Sequence, residues 1–562
     1  MYSNPLKRAA EEIAAEIRSA AERACAEGAL KTAELAPFEV APPSEKNRGD
    51  LFTNFAMQNA KTMGMAPRKI AEEITSRMDC GALVEKIEVA GPGFVNIHLS
   101  PAWYAEAVAA VRSEGADFGR TDGGAGKKVM VEFVSANPTG PMHMGNARGG
   151  VIGDVVASLL THTGCDVTRE FYINDAGNQV DLFARSLEAR LIQAVRGEDA
   201  VVFPEEGYHG DDIRALAAAY LEEHGDAILG APEEERRAAL AEFGLARNIA
   251  AMKRDMERYR IKFDVWFPES DLHKSGAVEE TVQLMVERGC TYEKEGALWF
   301  KATDFGCEKD EVLRRQNGFY TYYAVDLAYH RNKFMVRGFD KVIDVFGADH
   351  HGHTLRFKAG MDAIGVGADK LDFVLMQLVN LMRGGEVVRM SKRTGKAVSL
   401  SDLLDEIPVD AARFFFSSRT PATAMDFDLD LAVKQESDNP VYYVQYAHAR
   451  ICSILRSLAE AGVNADVEAN LTLLSDPAER ELTMQLALLP EEIKAAADAY
   501  DPARMVRYLT DTATLFHKFY NACRVNCDDP ALRAARTQLV LATKQVLENV
   551  CAILKVTAPE RM

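Results

Sequence analysis

The sequence holds no apolar run near the roughly eighteen residues that a membrane-spanning helix needs, so no place within a bilayer is expected. Its opening stretch carries Glu11, Glu12 and Glu16. That fits neither a secretory leader nor an acid-poor transit peptide, and a cytoplasmic location is expected. Cysteine is sparse, with nine residues scattered among 562. Only Cys523 and Cys527 lie close together, on an expected helix, so neither a disulfide framework nor a zinc knuckle follows, and reduced thiols are the simpler reading. An excess of positive charge is missing too. A net charge of −19 argues against a protein that coats nucleic acid nonspecifically, without excluding a local basic face. The acidity is not in the tail, because residues 441–562 carry 13 Lys and Arg against 15 Asp and Glu.

What remains is the composition of an ordinary globular protein, 48% hydrophobic and 27% charged, and long enough for three or four domains. Residues 1–120 read as a small α+β domain. It opens on a helix whose Ile13, Ile17, Ala20 and Ala24 share a face, and it closes on strands at 86–89 and 94–98 around Gly91-Pro92-Gly93. Residues 121–400 read as a parallel-sheet α/β domain. The run 129–134 is apolar on both faces except for Glu132, as a central strand would be, and a helix over 144–162 leads to a second strand at 167–172. Residues of about 185–285 are charged and mostly helical and read as an insertion, after which strands return at 297–300, 342–346 and 373–379. Residues 401–440 connect to a helical bundle over 441–562, where Val540, Leu547, Val550 and Leu554 keep helical spacing.

Two loops carry chemistry. SANPTGPMHMGN at 135–146 sits between strand and helix, where unpaired N–H groups and the helix dipole favour an anion. His143 and Asn146 face that position, and Gly145 would let a flat base lie against the backbone. RMSKRTGK at 389–396 is a basic loop behind the last sheet strand. Glu132 needs a cation, which could be a substrate or a structural Arg or Lys. Tyr322 and Asp326, four apart on an expected helix, add a carboxylate beneath an aromatic ring.

The two loops resemble the HIGH and KMSKS signatures of class I aminoacyl-tRNA synthetases, with Asn146 in place of the final histidine and Arg389 in place of the first lysine. Longer runs resemble arginyl-tRNA synthetases: VEFVSANPTGPMHMGNARGG, FYINDAGNQ, YYAVDLAYHRNKF, VFGADHHGH, NPVYYVQYAHARI, GDLFTNFAMQNAK, AGPGFVNIHLS and the ending APERM. The resemblance implies a split Rossmann-like fold that activates L-arginine with ATP and transfers it to tRNA. It implies that His143, Asn146 and Lys392 act in catalysis and that His143, Gly145, Asn146, Gly347, Asp349, Met390, Ser391 and Lys392 bind ATP. Arginine would be held by Glu132, Ser135, Asn137, His143, Tyr322, Asp326 and His350. A guanidinium stays charged and presents a planar fork, so carboxylates around it reject neutral side chains, and editing is unnecessary.

The cluster GADHHGH at 347–353 invites a metal reading. It follows a strand at the sheet's carboxyl end, where the resemblance implies contact with ATP and arginine, so Mg²⁺ is expected to arrive with ATP and no protein metal cage is foreseen. The resemblance assigns the C-terminal bundle to the anticodon, where Tyr442, Tyr443 and Tyr446 could stack bases or form core, and the N-terminal domain to the outer corner of the tRNA. A monomer is expected, with activation dependent on bound tRNA. Rival readings are a sister synthetase, disfavoured by the acidic pocket; a nucleotidylyltransferase, which would not need the bundle; and a non-catalytic RNA-binding relative, which would be expected to lose Lys392 or His143.

Overall fold

A computed structural model describes residues 2–43, 49–388, 398–465 and 467–562, without the side chains of His350 and His351. At its centre lies a parallel sheet of strands β1 (Lys128–Glu132), β2 (Asp166–Ile173), β3 (Val265–Pro268), β4 (Lys341–Gly347) and β5 (Leu371–Met376), in the spatial order β5-β4-β1-β2-β3. Every neighbouring pair is parallel. Helix α1 (Gly145–His162) crosses from β1 to β2. It packs so closely on β1 that a Cβ at Gly153 would lie 2.2 Å from the Phe133 ring, so only glycine fits there. The strand order reverses next to β1, and the crevice beyond the carboxyl ends of the strands at that point is where open α/β sheets bind ligands.

The N-terminal domain packs the helix Pro5–Ala26 on an antiparallel sheet. Ile13, Ile17, Ala20 and Ala24 are fully buried, as their spacing predicts. The strands Val84–Ala90 and Phe94–Leu99 form the expected hairpin. Residues from Pro440 onward form an all-α bundle, with Val540, Leu547, Val550 and Leu554 at 0% exposure in its core. Each such aliphatic side chain contributes about 1.5–3 kcal/mol when taken from water. The protein is therefore α/β, with a Rossmann-like sheet, a helical insertion, a small α+β domain and a helical C-terminal domain.

Several expectations are corrected. The strand at 297–300 does not return to the central sheet but lies in a separate antiparallel sheet with Thr291–Lys294 and Glu311–Arg314. The strand expected over 373–379 ends at Met376, and Val379–Arg383 pairs instead with Glu386–Val388 and Met425–Asp428. Short apolar runs carry no record of their partner, which is why these were misassigned. β3 falls inside the stretch read as a helical insertion, between the helices Glu233–Arg258 and Glu269–Lys274. Cys523 caps the helix Ala503–Ala522 and Cys527 lies beyond it, so the pair does not share a helix.

Candidate active site

β1 stops abruptly at its carboxyl end. Val134 and Ser135 take φ of +70° and +42°, and Ser135 N donates to Phe133 O at 3.0 Å, closing a tight turn. A β-branched residue with positive φ is costly, and such strain persists where the surrounding structure imposes it, commonly at ligand sites. The expected strand residue Val134 is thus the turn itself. The turn folds Ser135 back so that its Oγ donates to Glu132 Oε1 at 2.9 Å and accepts from Tyr172 N at 3.2 Å. Asn137, next in the loop, is exposed.

His143 is exposed and stands just before α1, with its Nδ1 accepting from Gly145 N at 3.0 Å. A Cβ at Gly145 would come within 3.2 Å of that nitrogen, so the glycine lets the ring fold back over the helix start. Asn146 is half-buried in the first turn. The loop pairs with the segment that follows residues 389–397: Met144 N donates to Val398 O at 3.0 Å, Leu400 N donates to Met142 O at 2.9 Å, and His143 bridges Ser399. Residues 398–400 are therefore anchored against the HIGH-like loop. Met390, Ser391 and Lys392 themselves lie outside the described residues, as does Arg389.

Tyr322 and Asp326 lie on helix α2 (Tyr322–Arg331), capped by Thr321 as its sequence suggests. Tyr322 is exposed, and a Cβ at Gly177 would lie 3.9 Å from its hydroxyl, so the ring leans across the crevice toward the loop after β2. Asp326 is half-buried, and among the described residues its carboxylate has no hydrogen bond or ion pair. Burial pushes its carboxyl up to about 7; the Glu132 and Glu269 carboxylates add to this, and His330 and Lys333 oppose it. Glu269, missed in the sequence, is buried just after β3, where its Oε2 accepts from the Tyr172 hydroxyl at 2.8 Å. Its signal was a carboxylate directly after an apolar strand, hidden because β3 was read as helix.

The cation that meets Glu132 is Lys333. Its Nζ is 2.5 Å from Glu132 Oε2 and 3.0 Å from Asp344 Oδ1, and the side chain is completely buried. Burial raises the Glu132 carboxyl, with Lys333 opposing and Asp344 adding to it. Burial also disfavours the charge on Asp344, but Lys333 and His330 outweigh it and hold that carboxyl low.

Gly347 ends β4, and Asp349 follows in a single tight turn beside it. Among the described residues no group of three or more His, Cys, Asp or Glu could hold a metal ion. In the C-terminal bundle a groove of about 950 Å³ is lined by Tyr446, Arg450, Arg456, Tyr520, Arg524 and Arg561. The Arg450 guanidinium lies 4.9 Å and 5.0 Å from the Tyr446 and Tyr520 ring centres. Tyr446 is partly exposed there, whereas Tyr443 packs on His517 and the core.

Three families match in chain order. The arginyl tRNA synthetase N terminal domain matches residues 5–99, the class I (R) tRNA synthetase catalytic domain residues 108–428, and the DALR anticodon binding domain residues 444–562. The chain is 55% identical over 562 residues to the arginine-tRNA ligase of Caldanaerobacter subterraneus subsp. tengcongensis, covering 100% of both. The solved arginyl-tRNA synthetase of Campylobacter jejuni superposes with a TM-score of 0.75 at 32% identity, covering 83% of this chain and 100% of that one. That of Thermus thermophilus gives 0.75 at 24%, covering 97% and 99%, and supports the fold. With a Rossmann-like sheet, an acidic crevice at its carboxyl end and all three family domains in order, the chain belongs to the class I arginyl-tRNA synthetases.

Proposed function

We propose that this chain catalyses the two steps of its family. The carboxylate of L-arginine attacks the α-phosphorus of ATP, giving arginyl-adenylate and pyrophosphate. The arginyl group then passes to a ribose hydroxyl of the 3′-terminal adenosine of its tRNA, releasing AMP. The observation that carries the substrate is Asp326, a half-buried carboxylate without a partner among the described residues, raised by the charges of Glu132 and Glu269 and one helical turn from Tyr322. A guanidinium entering there supplies the missing charge and a planar set of donors. Glu132 and Asp326 would take the guanidinium with Tyr322 over it, while Ser135, Asn137 and His143 would handle the α-amino and carboxylate end.

ATP would lie along the first turn of α1, against His143, Gly145 and Asn146, with Gly347 and Asp349 beside it and Mg²⁺ arriving on the triphosphate. Met390, Ser391 and Lys392 would bind ATP, as the resemblance implies. No activated side-chain nucleophile is needed, because the substrate carboxylate attacks. The contribution of the protein is electrostatic: preorganised donors neutralise charge that develops on phosphate oxygens. The bundle groove, with Arg450 between Tyr446 and Tyr520, is suited to splayed bases of the tRNA. We take the working unit to be a monomer in the cytoplasm. ATP–pyrophosphate exchange with each standard amino acid, with and without tRNA, tests the reading: exchange confined to arginine and dependent on tRNA supports it, and exchange with another amino acid overturns the pocket. Lys392→Ala is expected to lower kcat about 100- to 1,000-fold with little change in the KM for ATP, as loss of a group acting in the transition state does.

A further inference from the structure

The run YYAVDLAYHRNKF holds more than the two residues assigned to arginine. Tyr322, Asp326, His330, Lys333 and Arg337 follow one another at spacings of four, four, three and four. Such spacings keep one face of a helix, and α2 continues into a π-helical turn, Asn332–Val336. Such turns occur frequently at functional positions. Opposite this face stands a row of carboxylates, since Glu132 pairs in register with Asp344 on one side and with Glu170 on the other. In-register residues of a parallel sheet project to the same face.

The partners of this row are unequal. Asp344 has Lys333 on one oxygen and the His330 Nε2, at 2.8 Å, on the other. Glu170 accepts from the Tyr329 hydroxyl and from both terminal nitrogens of Arg337. Among the described residues Glu132 has Lys333 on Oε2, and its Oε1 accepts from the Ser135 hydroxyl in the turn that follows β1. The Lys333 ammonium is further fixed 4.2 Å over the Tyr329 ring. Tyr172 and Glu269 close the same cluster from the strand side.

We propose that Lys333 is a positioning residue for arginine recognition: by clamping Oε2 of Glu132 from within the core it fixes that carboxylate and turns Oε1 toward the substrate guanidinium. This rests on the pocket reading above, in which Glu132 contacts arginine. Lys333 never touches the substrate in this arrangement. A purely structural ion pair would be equally well served by Asp344 alone, which already balances the lysine charge; the second, shorter contact goes to the carboxylate at the crevice. Without the ammonium, a buried Glu132 beside Asp344, Glu170, Asp326 and Glu269 holds its proton to higher pH, with His330 and Arg337 left to oppose it.

The test uses full-length protein charging tRNA, comparing Lys333→Met/Asp344→Asn with Asp344→Asn. The double variant removes one cation and one anion from the core together, so the net charge of the core is unchanged while Glu132 loses its clamp. It is expected to raise the KM for arginine about 10- to 100-fold with the KM for ATP unchanged, and to move the pH above which that KM levels off upward by at least about one unit. Asp344→Asn retains the clamp, and its effect on the arginine KM should be several-fold smaller, with any displacement of the pH profile downward, because the Asp344 charge is one of those that raise the Glu132 carboxyl. Equal effects in the two variants, or a double variant with native arginine KM and pH profile, would overturn the proposal. Should the double variant fail to fold, an upward displacement of the pH profile in Asp344→Asn alone would overturn it, and an unchanged or downward one support it. Glu132→Gln separates the two levels: an unchanged arginine KM there refutes the pocket itself, whereas a raised one together with a silent double variant refutes only the role of Lys333.

Discussion

Asp154 and Asp326 are carboxylates of the same domain, each carried on a helix that packs against the central sheet, and their surroundings could hardly differ more. Asp154, at 0% exposure in the middle of α1, is met by Arg413 at 2.6 Å, by Lys555 at 2.6 Å and by Arg169 at 3.2 Å. These cations come from three parts of the chain, one of them the C-terminal bundle, and together they overcome burial and hold the carboxyl below its usual range. Asp326 is met by none among the described residues, and burial pushes it up to about 7. A protein spends stability to keep a buried charge unpartnered, and it does so where a ligand brings the partner.

The largest expected effect is at the satisfied site. Asp154→Asn leaves Arg413 buried without its carboxylate and should cost about 3–5 kcal/mol, read as a lower midpoint in urea, with the arginine KM unaltered. The sign of its pH dependence follows from the lowered carboxyl: the stabilisation is complete above the ordinary Asp range and is lost as pH falls through the folded value, so the native protein should lose more stability on acidification than the variant. Asp326→Asn should raise the KM for arginine about 10- to 100-fold and leave the KM for ATP alone, since a charge-assisted pair becomes a neutral one. An unchanged arginine dependence would remove Asp326 from the pocket.

Because the Asp326 carboxyl titrates near 7 and only its ionised form pairs with a guanidinium, the native KM for arginine should fall roughly tenfold between about pH 6 and pH 8. The smallest effect is remote from both carboxylates. Arg450→Ala in the bundle groove should raise the KM for tRNA about 3- to 10-fold and reduce its salt dependence, with arginine and ATP unaffected.

The same contrast explains what the sequence disclosed. Glu132 was visible because a charge inside an apolar strand breaks a pattern, and Tyr322 with Asp326 because a helix places residues four apart on one face. The βαβ unit around α1 and the helical bundle were legible from periodicity alone. Asp344 and Glu170 also interrupt apolar strands, but their alignment beside Glu132 depends on strand order, which no local pattern records. Lys333 keeps helical spacing with Asp326 and His330 yet reads as a surface lysine, since nothing local shows the two carboxylates it meets in the core. Glu269 was hidden by the assignment of β3 to the helical insertion, and Arg450 by the distance in sequence between Tyr446 and Tyr520. Chemistry carried by one element could be read ahead of the structure, and chemistry assembled from several could not.

The most direct test of the contrast is the stability of Asp326→Asn without ligand, measured at about pH 8 beside the native protein. A carboxyl whose folded value is raised stabilises least where it must be ionised, so its penalty grows as pH rises from the ordinary Asp range through about 7. The expected result is a variant more stable than the native protein at pH 8, by about 1 kcal/mol or more, and with that advantage gone near pH 4. A variant destabilised at pH 8, as Asp154→Asn should be, would mean that Asp326 already has its partner within the chain and is not held open for arginine.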